Sequence, residues 1–238
     1  MTPPHLFYGG TFDPVHLGHL QIARAVATHL GAPVSMVPAA DPPHRSAPGA
    51  SAGQRAHMLD LAVTGEPMLR VDRRELQRNA PSYTVDTLAA LRAELGPSAC
   101  IVWVLGIDSV LQLQQWQHWR HLLDLANLLA VQRPLTQVGQ AWLRARAPEV
   151  QAELAPRWTR PERLLLRPAG GYAALALRPL RRESATLVRD RIARGKPWKA
   201  LVPPAVASFI ESAGLYGSHA GAAGIIAARH RPRIEGTR

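Results

Sequence analysis

Residues 100–105, CIVWVL, are apolar at every position, so a strand formed there has no face to offer water. Such a strand is stable only between two covering layers, the situation inside a parallel sheet with helices on both sides. The rest of the chain supplies material for those layers. His5–Tyr8 reads as a short strand and Gly9-Gly10 as a break. Leu17–Leu30 reads as a helix, with Leu17, Leu20, Ala23, Val26, Ala27 and Leu30 at helical spacing and Gly31-Ala32-Pro33 as its stop. Strands are predicted at Val34–Val37, Leu69–Val71, Leu128–Val131, Leu164–Leu166 and Ala174–Leu177. Helices are predicted at Ser51–Val63 with Ser51 as N-cap, Tyr83–Leu95, near 108–115 and 118–124, over 139–155, and near 185–194 and 204–213. The alternation gives an α/β fold, a doubly wound parallel sheet with C-terminal helices. In that architecture ligands bind at the carboxyl ends of the strands.

Composition narrows the class. The 238 residues are 47% hydrophobic and 19% charged, as expected of a globular chain. No apolar run approaches the roughly 20 residues of a membrane helix, and the first 30 residues show no secretory pattern. One cysteine, Cys100, excludes an internal disulfide framework and a multi-cysteine metal site, so the cytoplasm fits best. The formal charge is +11; Lys196 and Lys199 are the only lysines among 28 basic residues, the others being arginine. Codon bias, a field that draws polyanionic substrates, or nucleic-acid binding would each account for this. The arginines are scattered, without an aromatic-interleaved basic stripe, which speaks against nucleic acid. Residues 1–217 read as the catalytic domain, and the small, basic, aperiodic stretch 218–238 as a mobile tail.

The chemistry concentrates at Gly9-Gly10-Thr11-Phe12-Asp13-Pro14-Val15-His16-Leu17-Gly18-His19. Gly9 and Gly10 can take a tight turn that lets a phosphate approach the main chain. Asp13-Pro14 is a helix-start signal, with Pro14 suited to the first helical position. The helix N-terminus that follows is an anion site. His16 and His19, three apart, share one face and can donate to phosphate oxygens while charge builds in a transition state; Gly18 between them clears room for the ligand. A metal-binding His pair lacks a third ligand here, and two ordinary surface histidines are the remaining alternative. Elsewhere, Ser184 can cap a helix with Thr186 and Arg189 beside it, and Asp108 after the buried strand can accept from hydroxyls or act as an N-cap. Trp116 can stack on a flat ring or belong to the core. His44 and Arg45 stand on a proline-rich loop as phosphate contacts or as a plain surface pair.

YGGTFDPVHLGH resembles the signature of the HxGH nucleotidyltransferases, relatives of the class I aminoacyl-tRNA synthetases. Four further segments resemble, in order, those of the bacterial nicotinate-mononucleotide adenylyltransferase family: PPHR at 42–45, RNAPSYTVDTL at 78–88, GIDS at 106–109 with Trp116, and SATLVR at 184–189. The similarity runs over about residues 5–217. It implies a Rossmann-like nucleotidyltransferase fold, with ATP, its Mg²⁺ and nicotinate mononucleotide as partners and no membrane. His16 and His19 would be catalytic. Gly9, Gly10, Thr11, Phe12, Gly18, Gly106, Asp108, Arg133, Ser184, Thr186 and Arg189 would bind ATP. His44, Arg45, Tyr83, Thr84, Trp116 and Gln117 would bind the mononucleotide, Gln117 through its main chain where relatives often carry an aromatic. A different phosphorylated acceptor, nicotinamide mononucleotide among them, is the alternative within the class. A basic RNA-binding module on the same fold is the alternative outside it. A homo-oligomer is compatible with the sequence.

Overall fold

The computed structural model describes residues 3–40, 49–78, 81–132, 139–177 and 183–218. Among them β1 (His5–Gly10), β2 (Val34–Pro38), β3 (Leu69–Val71), β4 (Ile101–Gly106), β5 (Asn127–Gln132) and β6 (Tyr172–Ala176) form one sheet in the order β3-β2-β1-β4-β5-β6. Every pairing is parallel. The order reverses between β1 and β4, where Leu6 pairs with Val102 and Phe7 with Trp103. A crevice opens at that reversal, outside the carboxyl ends of the strands.

The helices are α1 (Leu17–Leu30), α2 (Ala52–Val63), α3 (Thr84–Leu95), α4 (Ile107–Leu111), α5 (Leu122–Leu125), α6 (Gln140–Arg146), α7 (Pro148–Leu154), α8 (Ala185–Ala193) and α9 (Pro204–Ser212). Strand side chains alternate between two layers. Leu6, Tyr8, Val102, Val104, Leu129 and Val131 pack with α1, α2, α8 and α9 in one core. Phe7, Ile101, Trp103, Leu105, Leu128 and Ala130 pack with α3 to α7 in the other. This explains the wholly apolar run at 100–105: each phase of β4 belongs to a different core.

Local signals set most boundaries. Ser51 caps α2, its Oγ accepting from the Gln54 N–H at 3.2 Å while Gln54 Oε1 accepts from the Ser51 N–H at 2.9 Å. Gly31 ends α1 in the left-handed region at φ 65°. Three expectations need correction. Leu164–Leu166 is not a strand but the end of a 3-10 turn, Pro161–Leu166, in which Leu164 is buried and Leu166 exposed. The helix expected over 139–155 is two helices, because Ala147 leaves the helical region (φ −147°, ψ 69°) and Pro148 starts a new one. Pro14 is not the first helical residue; α1 begins at Leu17 with His16 as its extended N-cap. In addition β6 begins two residues earlier than predicted.

The loops at the carboxyl edge are held by one buried cation. Arg55 of α2 is 1% exposed. Its guanidinium donates to the carbonyls of Thr11 (2.7 Å), Ala39 (2.6 Å), Ala40 (2.8 Å) and Ala50 (3.2 Å). Those carbonyls leave β1 and β2 and approach α2, where no strand or helix ladder can satisfy them. Arg55→Met removes the shared donor, and a loss of about 3 kcal/mol is expected in urea unfolding. An unchanged midpoint would mean that the carbonyls find other partners.

Candidate active site

Gly9 and Gly10 are not a turn. Both lie in β1, paired with Val37 and Pro38 of β2, and neither has positive φ. Gly9 is required for a different reason: a Cβ there would stand 2.2 Å from Cζ2 of Trp103 on the neighbouring strand. The conformational load falls instead on Phe12, whose φ is 51°. Its ring is buried edge-on against Tyr8 and His19, with centroids 5.6 and 5.0 Å apart. What Phe12 can offer a ligand is therefore its main chain. Tyr216 and His118 are the other non-glycine residues with positive φ among those described. Phe12 and Tyr216 both border Asp13, and His118 follows Gln117. Backbone strain thus collects around the crevice.

Asp13 ties this loop to three distant segments. Its carboxylate accepts from the Gly49 and Ala50 N–H groups at 2.8 and 3.1 Å and from the Tyr216 hydroxyl at 2.7 Å. Arg189 of α8 donates to the Asp13 carbonyl at 2.5 Å and lies 3.7 Å from Oδ2. Burial, then the bond and charge of Asp13, push the Tyr216 phenol up, so it stays a donor.

Beyond the loop, His16 and His19 come together as their spacing predicted. The rings stack with centroids 3.6 Å apart and 29° between planes. His16 is buried and His19 half-buried. The His16 N–H donates to His19 Nδ1 at 3.3 Å. A neutral His19 then carries its proton on Nε2. Gly18 lets α8 approach: a Cβ on it would be 3.4 Å from the Glu183 carbonyl and 3.0 Å from His16 Nδ1. Ser184 caps α8, its Oγ accepting from the Leu187 N–H at 3.1 Å. The starts of α1 and α8, with their free N–H groups and positive dipole ends, therefore sit side by side.

A cleft adjoins this group over β1 and β4. Gly9, Gly10, Thr11, Tyr83, Thr84, Trp116 and Gln117 line it, so the structure brings together seven of the predicted residues from three segments. Trp116 is half-buried on the cleft while Trp119 is core at 6% exposure. Thr84 is the first residue of α3, whose N-cap is Tyr83. The cleft also holds residues that the sequence reading missed: Trp103, Glu75, Ser82, Ser109 and Gln112. Trp103 had a signal, since it lies near the carboxyl end of a buried strand. Glu75 had none, because nothing local marks a buried carboxylate. Asp108 is exposed in the first turn of α4, whose N-cap is Gly106, so it is not the cap. Thr186 is exposed on α8. His44, Arg45 and Arg133 lie outside the described residues. Among the described residues no group of three or more His, Cys, Asp or Glu is placed to hold a metal ion, and no helix is long and apolar enough to cross a membrane.

The profile of the cytidylyltransferase-like family matches residues 7–191, a span that runs from within β1 to within α8 and contains the histidine pair and the cleft. A Stenotrophomonas maltophilia protein named "Probable nicotinate-nucleotide adenylyltransferase" is 49% identical over 223 residues, covering 92% of this chain and 99% of its own. The chain belongs to the cytidylyltransferase-like family, on its nicotinate-nucleotide adenylyltransferase branch. Another relative of that printed name, from Xylella fastidiosa strain M12, is 43% identical over the same shares of the two chains. The fold agrees with solved structures. Plasmodium falciparum nicotinic acid mononucleotide adenylyltransferase, complexed with NaAD, superposes with a TM-score of 0.69 over 91% of this chain and 98% of that one, at 14% identity.

Gly9 is a packing requirement for the cleft floor. Gly9→Ala forces its methyl into the Trp103 ring, with an expected cost of about 1–3 kcal/mol. The displaced indole should also raise the KM for whichever substrate fills the cleft while leaving the KM of the other nearly unchanged. Calorimetry and initial rates check this; wild-type values in both would show that β1 and β4 can part without consequence.

Proposed function

We propose that this enzyme transfers the adenylyl group of ATP to nicotinate mononucleotide, forming nicotinic acid adenine dinucleotide and pyrophosphate. The observation that carries the reading is the stacked His16–His19 pair at the joined starts of α1 and α8, beside a cleft floored by Gly9 and Trp103. One half suits a polyphosphate and the other a flat ring. The catalytic unit on this reading is residues 1–217, and its setting is the cytoplasm, in keeping with a single buried cysteine.

The nucleophile is the mononucleotide's own phosphate oxygen, already ionised, so the protein need supply neither nucleophile nor strong base. Its contribution is alignment with the ATP α-phosphorus and stabilisation of charge on the transferring and leaving phosphates. His19 Nε2, the N–H groups at the starts of α1 and α8, Ser184 and Arg189 are the donors for that charge. Gly10, Thr11 and the Phe12 main chain would pass the triphosphate along the strand end. Asp108 would accept from the adenosine ribose. On the acceptor side, Trp116 would stack on the pyridine ring, and Thr84 with the main chain of Gln117 would receive the exocyclic acid at the start of α3. The ion expected is Mg²⁺ borne on ATP, since Mg²⁺ prefers nucleotide phosphates and water to a protein cage, and it would offset charge on the departing pyrophosphate.

His19→Ala is expected to lower turnover about 10²-fold or more, as loss of a key electrostatic donor does. Near-normal turnover removes His19 from the mechanism. The acceptor is tested by pyrophosphate release from ATP with nicotinate and nicotinamide mononucleotides side by side. A faster amide substrate would overturn the assignment.

A further inference from the structure

Glu75 is a 5% exposed carboxylate that lines the cleft. It stands in the 3-10 turn Arg74–Gln77 after β3 and reaches the start of α3. The Thr87 hydroxyl donates to its Oε1 at 2.6 Å, and Arg78 donates to that hydroxyl at 2.9 Å. The Ser82 side chain bonds to it as well, while Ser82 Oγ accepts from the Ala40 N–H at 2.9 Å. Thr87 lies one turn into α3 from Thr84, and its hydroxyl is 3.4 Å from the Tyr83 carbonyl. The carboxyl of Glu75 therefore sits at the end of the cleft assigned above to the exocyclic group of the pyridine ring.

An acid at that position cannot be indifferent to what the ring carries. A carboxylate facing a carboxylate repels it across a partly desolvated gap, whereas a carboxylate facing an amide accepts from its NH₂. A neutral carboxyl reverses this, because its O–H donates to an acid substrate. We propose that Glu75 sets how strongly the cleft prefers the acid to the amide on the pyridine ring, strengthening that preference when neutral and weakening it when ionised. The inference rests on the reading of the cleft as a pyridine mononucleotide site.

Burial pushes the Glu75 carboxyl above the ordinary carboxylate range. The Thr87 and Ser82 hydroxyls and the Arg78 charge oppose the rise, and Asp72 adds to it. Arg74, the charged neighbour on the same turn, is engaged with Asp72 and with Glu94 of α3. Among the described residues lining the cleft, the titratable side chains are Glu75 and Tyr83. A raised carboxyl is neutral below its folded pKa and ionised above it, so preference for the acid is greatest at low pH and declines as pH rises.

The test is the ratio of kcat/KM for nicotinate mononucleotide to kcat/KM for nicotinamide mononucleotide, measured from pH 5 to pH 8. The phosphate group titrates alike in both substrates, so its ionisation cancels in the ratio, as do effects on ATP binding or on the amount of folded enzyme. In the wild type the ratio should fall by roughly tenfold or more across that range. In Glu75→Gln, whose amide still accepts from Thr87 but cannot ionise, it should stay flat. Thr87→Val, which removes a donor to the ionised form, should move the fall to higher pH. A flat wild-type ratio, or a Glu75→Gln enzyme that keeps the wild-type slope, overturns the proposal for Glu75 and leaves the reaction standing. Failure of both mononucleotides to release pyrophosphate at any pH overturns the reading of the site itself, and the proposal with it.

Discussion

Two buried charges of opposite sign, Arg55 and Asp13, hold the loop on which the site is built. They are complementary in what they bind. Arg55 collects carbonyls that leave β1 and β2, and Asp13 collects the N–H groups of residues 49 and 50 at the approach to α2. Each group would cost several kcal/mol if buried without partners, and each is surrounded by main-chain dipoles that lack partners of their own. The loop from Thr11 to His16 is thereby fixed without a ladder. Its strain at Phe12 persists because the charges on both sides leave no relaxed alternative.

The fixed loop divides the crevice into two workspaces. Thr11 belongs to both, its carbonyl bound to Arg55 and its residue lining the cleft. A ring seated over Trp103 can send a phosphate past Thr11 toward the histidine pair, and a triphosphate on that pair can be met there. Arg189 reinforces the division. It bonds to the Asp13 main chain, so α8 is docked to the loop before any ligand arrives, and its remaining donors are offered from a held position. Preorganisation of this kind matters most for a reaction whose nucleophile and leaving group both come from the substrates.

How much of this was legible follows from which forces act locally. The strand at 100–105 and the stripe on α1 are repetitive, and burial on two faces or one writes itself into every residue. Ser51, Gly31 and Ser184 are caps, which depend on their own few neighbours and read correctly. The reason for Gly9 did not, because it lies on another strand: the glycine answers Trp103, which stands opposite Phe7 in the register. A diglycine suggests a turn by propensity, yet here it is extended and the turn falls on an aromatic. Leu164–Leu166 shows the same limit. Three apolar residues carry no period, and Pro161 had already begun a helical turn. Glu75 is the extreme case, since its burial depends on Thr87, Ser82 and Arg78 being folded around it.

The excess of arginine takes on a different meaning once the bonds are traced. Arg92 of α3 donates to the carbonyls of Gly96, Ala99, Leu125 and Pro168, gathering the ends of several elements much as Arg55 does at the opposite edge of the sheet. Others pair with acids on the surface: Arg24 with Glu66, Arg73 with Asp60, Arg120 with Glu149 and Arg194 with Asp190. A flat guanidinium with five donors can bridge separate carbonyls where a lysine, a compact point charge, cannot. These arginines are committed to the protein's own carbonyls and acids. The guanidinium at the crevice, Arg189, lies on α8 beside the histidine pair. It sets a positive charge where a polyphosphate would need one.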